Sequence, residues 1–459
     1  MLNPKDLELC ERLVQAATKL GAHSADAMMG RSTEFDVTVR DGRVEDVSRS
    51  TDKTIGLRVF LEGAEGRKLG FITTSVVPNT ADDVESVVRR ALGMAEAAAA
   101  SKWHGLPDKA DVEAPLDVKM LDLYDPRVAE LTPEWAAQQA LTMEKVAKGA
   151  EPRIHAFGSV GAGAGHGGVA YVNSNGFSGA YEGSHVSAHC HAVTLSDGNR
   201  QSDGWSEAQR HLKDLLPPED IARKAAQRVG RAVGAKPGPM GKYPVIYEAP
   251  VALSILGHIS GAVSGDLVAK GATFMASLVG QQVAPAFFNL SDDSTIPRAL
   301  GSSPFDGEGL RSRVNKILDG GVLQGFLCDT FTARRLGRKS TGSARRGAGS
   351  LPHIGVGNIR LQPGTESLEQ LAKRVGRGLL VTRMLGHGPD LVTGDYSRGA
   401  GGMWIENGEL AYPVEEMTVA GNLVDMLKGI AAVGSDLLVR GGTASPSIMF
   451  QELTVSSRG

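Results

Sequence analysis

The chain has 459 residues, of which 41% are hydrophobic and 22% charged, so at about 150 residues per domain it predicts roughly three globular units and excludes a small cross-linked scaffold. Forty-nine Lys and Arg against 52 Asp and Glu leave a net charge of −3, which excludes a whole-chain basic field and makes nucleic acid a poor partner. Cys10, Cys190 and Cys328 are far apart, no run of 18 apolar residues occurs, and Asp6, Glu8 and Glu11 interrupt the start of the chain where a signal peptide would be apolar, so the expectation is a cytoplasmic protein without disulfides or membrane contact.

In chain order, Leu7, Cys10, Leu13, Val14, Ala17 and Leu20 recur at helical spacing and Gly21 follows as a stop, which predicts an amphipathic helix. Phe35 to Val47 alternates around Asp41-Gly42, the pattern of two strands joined by a tight hairpin. Further strands are expected at Ile55–Phe60 and Lys68–Thr73, then a helix carrying Val84, Val88, Ala91 and Ala95. A first α+β unit over 1–100 is therefore followed by a linker at 101–131, where Pro107, Pro115 and Pro126 break the periodicity. A second α+β unit is expected over 132–234, with a helix at Pro133–Lys148, strands near Arg153–Gly161, Gly168–Asn173 and Ser184–Leu195, and a helix at Pro218–Val233. After the Pro- and Gly-rich run 235–241, a third unit over 243–459 holds short strand-like runs and many of the 58 glycines. The predicted fold class is α+β, with N-terminal helix and antiparallel-sheet layers and a β-rich, partly barrel-like C-terminal domain.

Several motifs invite chemistry and fail on context. Gly163-Ala-Gly-His-Gly-Gly168 satisfies G-x-G-x-x-G, but Val169–Asn173 after it looks like a strand where a dinucleotide loop opens a helix. His185, His189 and His191 invite a metal, and His189 and His191 share one strand face with Cys190 opposite, yet no carboxylate nearby in sequence supports a metal, and solvent-facing histidines explain them. Arg334, Arg335, Arg338, Lys339, Arg345 and Arg346 make either a solvated face or an anion-gripping patch. Ser397, His387 and Asp395 are the residue types of a nucleophilic triad, but no nucleophile elbow encloses Ser397.

The C-terminal half carries longer signatures. GDYSRGAGGMWIENG (Gly394–Gly408), PVEEMTVAGNL (Pro413–Leu423), SPS (Ser445–Ser447), GSSPFDGEG (Gly301–Gly309) and KSTG (Lys339–Gly342) resemble the TldD/PmbA, or modulator-of-gyrase, family. RDGRVE (Arg40–Glu45), GLRVF (Gly56–Phe60) and NSNG (Asn173–Gly176) fit it as well, so the resemblance runs over nearly the whole chain.

The resemblance implies a metallopeptidase of paired subunits, in which the TldD type carries zinc and the PmbA (TldE) type does not. A TldD-type helix bears H-E-x-x-x-H, two histidines for Zn²⁺ on one face and a glutamate as general base, and a cysteine near the chain end adds a ligand. The matching segment here is LSILGHISGAVSGD (Leu253–Asp266), and counting back from Gly265-Asp266 the ligand positions hold Leu256 and Gly261 and the base position Gly257. The tail Gly441–Phe450 has no cysteine. The expectation is thus a chain with no metal or catalytic residue of its own, completing the peptide cleft of a zinc-bearing TldD-type partner, with His258, Gly261, Gly394, Ser397, Gly399 and Gly401 on the cleft. The alternative is a homodimeric metallopeptidase using His258, His353 or His387. Direct action on DNA gyrase, which the family's older name suggests, finds no support in the charge balance.

Overall fold

Asn3 opens the first helix, α1 (Pro4–Lys19): its side chain accepts from the Lys5 N–H while Asp6 reaches back to the Asn3 N–H, so two of the helix's orphan donors are satisfied. The computed structural model describes residues 2–196 and 198–457. Beyond α1 the chain forms β1 (Ser24–Arg40), β2 (Arg43–Gly63), β3 (Gly66–Thr74), α2 (Ala81–Ala97) and β4 (Ala100–Ser101). The β1–β2 hairpin turns at Asp41 and Gly42, with φ of 50° and 71°, the two positive angles of a type I′ turn.

The stretch after β4 is tied down rather than loose: short helices at Val118–Leu121 and Pro126–Ala129 bury Leu121 and Val128. Next come α3 (Pro133–Ala150), β5 (Ile154–Asn173), β6 (Ser178–Ser196), β7 (Asn199–Gln209) and α4 (Pro218–Gly230). β1 pairs with β5, so one antiparallel sheet of seven strands, ordered β4-β3-β2-β1-β5-β6-β7, runs through both N-terminal α+β units. Helices α1 and α2 pack with Met29, Leu57 and Val59 in one apolar cluster. Helices α3 and α4 pack with Val37, Val160 and Cys190 in another.

Two strand expectations need correction, and one strand goes beyond them. Ile55–Phe60 is not a strand of its own but the far half of β2. The pair expected near Arg153–Gly161 and Gly168–Asn173 is one strand, β5, with Gly163–Gly168 at its middle. Glycine weakens a strand by offering no side chain, but β5 is laddered to β1 on one side and β6 on the other throughout that stretch, and ladder bonds are made by backbone. β7 was not expected, because NRQSDGWSEAQ lacks apolar alternation; its pairing with β6 from Asn199 to Gln209 supplies the order.

The third unit contains β8 (Gly241–Tyr247), α5 (Ala249–Ala262), α6 (Gly265–Ala269), α7 (Thr330–Arg335), β9 (Gly378–Leu385), β10 (Asp395–Glu406), β11 (Glu409–Asn422) and β12 (Ile448–Ser457). The order β12-β8-β9-β10-β11 closes on itself through β11 and β12, a five-stranded barrel. Its apolar contents include Tyr247, Val381, Tyr396, Trp404 and Phe450, and Ile255, Leu256 and Ile259 of α5 belong to the same core. A six-stranded sheet of short strands, including Leu290–Asp293 and Val314–Asp319, completes the unit. Strand content of 41% against 26% helix agrees with the predicted α+β class and its barrel-like end. No helix among the described residues is long and apolar enough to cross a membrane.

Candidate functional site

The helix that the resemblance singles out, α5, starts where β8 leaves the barrel. Glu248 stands at its N-cap position and Pro250 in its first turn, where a missing N–H costs nothing. The Glu248 carboxylate is gripped by Arg228 of α4 and by Arg231, the residue that caps its end, at 2.7–3.0 Å. Burial raises its pKa, but the arginines outweigh this and hold it below the usual glutamate range. The start of α5 is thereby fixed to the central unit.

The three positions that carry zinc chemistry in a TldD-type helix take different environments here. Leu256 is wholly buried in the barrel core. Gly257 is exposed, with open space where a Cβ would be. Gly261 is half-buried, and a Cβ there would lie 3.2 Å from Leu391 Cδ1. An aliphatic side chain and two bare backbones offer no donor to Zn²⁺ and no base for water. Among the described residues no three His, Cys, Asp or Glu side chains converge to hold a metal ion. Cys328 packs in the core that α5 shares, against Gly265, and burial pushes its thiol up to about 11 and those of Cys10 and Cys190 up to about 12, which keeps all three protonated. The residues present do not fit the zinc of the family.

His258 lies between the open and buried sides of α5. Its ring stands edge-on to Tyr396 at 6.1 Å between centroids, and the Tyr396 hydroxyl meets that of Tyr247 at 3.1 Å. Gly388 covers the ring from the β9–β10 connection, close enough that a Cβ would lie 3.2 Å from His258 Cε1. Burial, reinforced by the Arg398 charge, depresses the His258 pKa to about 4; the ring is neutral at neutral pH. Two polar atoms in this cluster are buried without a hydrogen-bond partner among the described residues, His258 Nε2 and Arg398 Nε. Each atom keeps a hydrogen-bonding capacity that a peptide group could use once it is uncovered.

The structure divides the expected cleft residues. His258 and Gly261 share α5 and meet the β9–β10 connection through Gly388 and Leu391. Ser397 and Gly399 alternate along β10 with Tyr396, Arg398 and Ala400 and so point to the opposite face; Ser397 is exposed and Gly399 lies over Leu385. Gly401 lies against the Arg383 side chain, and Gly394, at φ 83°, against Asn422 before β10 begins. Tyr396 and Arg398, which sequence reasoning passed over in favour of Ser397, are the β10 residues that reach His258. Their signal was the two-residue alternation inside the Gly394–Gly408 signature.

Elsewhere, His353 is exposed on a short strand, His353–Ile354, and His387 is exposed beside Gly388. Asp395 is bound by Thr393 and Asn422, not by His387, which dissolves the triad. His189 donates to or accepts from Ser159 at 2.8 Å, and His189 and His191 share a face as expected, 6.2 Å apart. The arginine-rich segment is a solvated face in part: Arg335, Arg338 and Lys339 are exposed, Arg334 pairs with Asp108 and Lys339 with Asp111, while the Arg346 side chain is wholly buried and pairs with Asp26.

Comparison with known proteins places this architecture. The PmbA/TldA metallopeptidase C-terminal domain matches residues 240–457, the central domain 126–233 and domain 1 residues 25–95. The chain belongs to the PmbA/TldD family of metalloproteases. Among PmbA/TldD relatives, it is 31% identical to the metalloprotease PmbA of Escherichia coli O157:H7, covering 98% of this chain and 97% of that one. It is 33% identical to a PmbA homologue of Haemophilus influenzae, covering 96% and 94%. A Bacteroides thetaiotaomicron structure named for modulation of DNA gyrase superposes with a TM-score of 0.90 at 25% identity over 100% of both chains. TldE of Thermococcus kodakarensis shares the fold, with a TM-score of 0.85 at 22% identity, covering 98% of this chain and 100% of that one.

Proposed function

We propose that this chain is the zinc-less, PmbA/TldE-type subunit of a cytoplasmic TldD/TldE-like metallopeptidase, and that it completes the cleft in which a zinc-bearing TldD-type partner cleaves unfolded or extended peptides. The observation that carries the reading is the content of α5: Leu256 is in the core, and Gly257 and Gly261 have no side chain. What remains on this helix and on the facing strand β10 is suited to holding substrate. His258 and Arg398 each present a buried polar atom without a partner, and main-chain recognition of an extended peptide needs such groups and little side-chain selectivity. No zinc is required in this chain; the metal belongs to the partner. Nucleic acid and membrane play no part in this reading, since the net charge is −3 and three of the six cations in the basic run are paired with Asp108, Asp111 and Asp26. The homodimeric alternative is weaker, because His258 and His387 have no carboxylate ion pair among the described residues and His353 stands on a different element.

The test is reconstitution with a TldD-type chain. The pair is expected to cleave an unfolded peptide and to hold zinc in the partner, while this chain alone does neither. Gly261→Trp, which must displace the Leu391 side chain toward the cleft, is expected to leave melting temperature and the partner's zinc unchanged and to reduce cleavage at least tenfold. Stoichiometric zinc in the isolated chain together with peptide cleavage would overturn the reading.

A further inference from the structure

A cavity outside the α5 cluster lies between the N-terminal sheet and the C-terminal unit and has a volume of about 390 Å³. Phe60 of β2, Phe331 of α7 and Leu351 line its sides; Arg58, Glu308 and Asp329 are its buried charged groups, and Asp266, which is paired with Lys270, and the imidazoles of His104 and His353 also line it. Both carboxylates are almost wholly removed from water, Glu308 being 2% and Asp329 7% exposed. A buried charge is retained only where something compensates it.

Glu308 is partly compensated: Oε2 accepts from the Thr330 N–H at 2.8 Å and Oε1 faces Arg58 Nη1 at 3.4 Å. Arg58 is itself engaged by Asp26, to which it donates through Nε and Nη2. Asp329 spends Oδ1 on capping α7, accepting from the Thr332 N–H and hydroxyl at 2.8 and 2.7 Å. Its Oδ2 has no hydrogen bond, and the residue no ion pair, among the described residues. Burial pushes the Glu308 carboxyl up, Arg58 opposes this, and the neighbouring Asp329 charge adds to the rise. Two buried carboxylates that repel each other face a cavity holding one guanidinium already bound elsewhere. A cation placed there would relieve both.

We propose that this cavity binds an organic ammonium carried on an apolar stem, the charge set against Asp329 and Glu308 and the stem between Phe60, Phe331 and Leu351. The floor is wrong for an anion. A bare metal ion is a poorer fit, since no three metal-ligating side chains converge among the described residues and the aromatic and aliphatic walls offer nothing to its remaining coordination positions. The stem fills apolar space, and the ammonium supplies the donors that Oδ2 lacks. The proposal goes beyond the subunit reading: it uses no residue of α5 and requires no partner chain.

The experiment is calorimetric titration of the full chain, below the amine's pKa, with leucinamide and with N-acetyl-leucinamide, which keeps the stem and loses the charge. Leucinamide is expected to bind saturably and the acetylated form at least tenfold more weakly. Asp329→Asn, which keeps the Oδ1 acceptor for the α7 cap, is expected to weaken leucinamide at least tenfold. Leu351→Trp, at an exposed position on the cavity wall, should do the same without touching a charge, and stands in if the asparagine variant does not fold. Isoamylamine and the peptide Leu-Gly-Gly then separate the sources, the tighter of the two identifying a free amine or a peptide amino terminus. Absence of saturable leucinamide binding, equal binding of the acetylated form, or unchanged binding by folded Leu351→Trp would each sink the proposal.

Discussion

The imidazole of His258 is kept neutral by burial first and by Arg398 second, with a pKa near 4 against an ordinary 6.5. The unfolded chain therefore binds more protons at this residue between about pH 4 and 6.5, so its contribution to stability rises with pH through that window and is lost on acidification. Asp306 has the opposite sign. Burial first, and Glu308 beside it, push its carboxyl up to about 7 although three backbone N–H groups favour the anion, so the native state binds more protons from about pH 4 to 7 and stability falls as pH rises. The two slopes oppose each other in nearly the same interval. His258→Leu removes one of them: relative to wild type, the variant should gain stability as pH falls from 6.5 toward 4, read from urea midpoints at several pH values. Parallel curves for the two proteins would show that His258 does not titrate as the buried ring implies.

At the scale of elements, the hairpin of β1 and β2 shows how short signals set long structures. Asp41 and Gly42 both adopt positive φ, and the Gly42 N–H donates to Glu144 Oε1 of α3 at 2.9 Å, so the turn also docks the hairpin tip on a helix. Gly42→Ala should cost about 1–2 kcal/mol, the penalty for an L-residue held left-handed, while Gly42→Asn, which tolerates that conformation better, should recover most of it; thermal and urea unfolding of both variants decide. The Asp-Gly pair was legible as a turn because its chemistry is local. The lengths of β2 and β5 were not, because their exposed or glycine-rich halves are held by neighbouring strands rather than by their own propensity.

For the whole molecule, the joint between the N-terminal sheet and the C-terminal unit is a buried charge cluster. Asp26 accepts from Arg58, Arg346 and the Tyr171 hydroxyl, and Arg58 also faces Glu308. Burial alone would raise the Asp26 pKa, but Arg346 and Arg58 overcome this and hold it below the usual aspartate range. Asp26→Asn leaves two buried guanidiniums short of a counter-charge and should cost about 3–5 kcal/mol. Arg346→Met should cost less, since Asp26 keeps Arg58. Urea unfolding tests the order, and limited proteolysis should show the joint opening first in Asp26→Asn. Equal or negligible losses would mean that apolar packing, not this cluster, holds the halves together.

The sequence by itself determined the four helices α1 to α4, the Asp41-Gly42 turn, the α+β class and, through its motifs, the family. Each of these rests on residues within one or two turns of each other, where spacing fixes geometry. Only the tertiary structure decided that β1 pairs with β5, that Tyr396 and Arg398 rather than Ser397 meet His258, that Arg346 is an internal ion-pair partner of Asp26, and that Glu308 and Asp329 face a cavity walled by β2. Those contacts join residues from different elements, in several cases hundreds of positions apart. They depend on which face of a strand a side chain takes and on what burial leaves uncompensated, and neither is a local property of the chain.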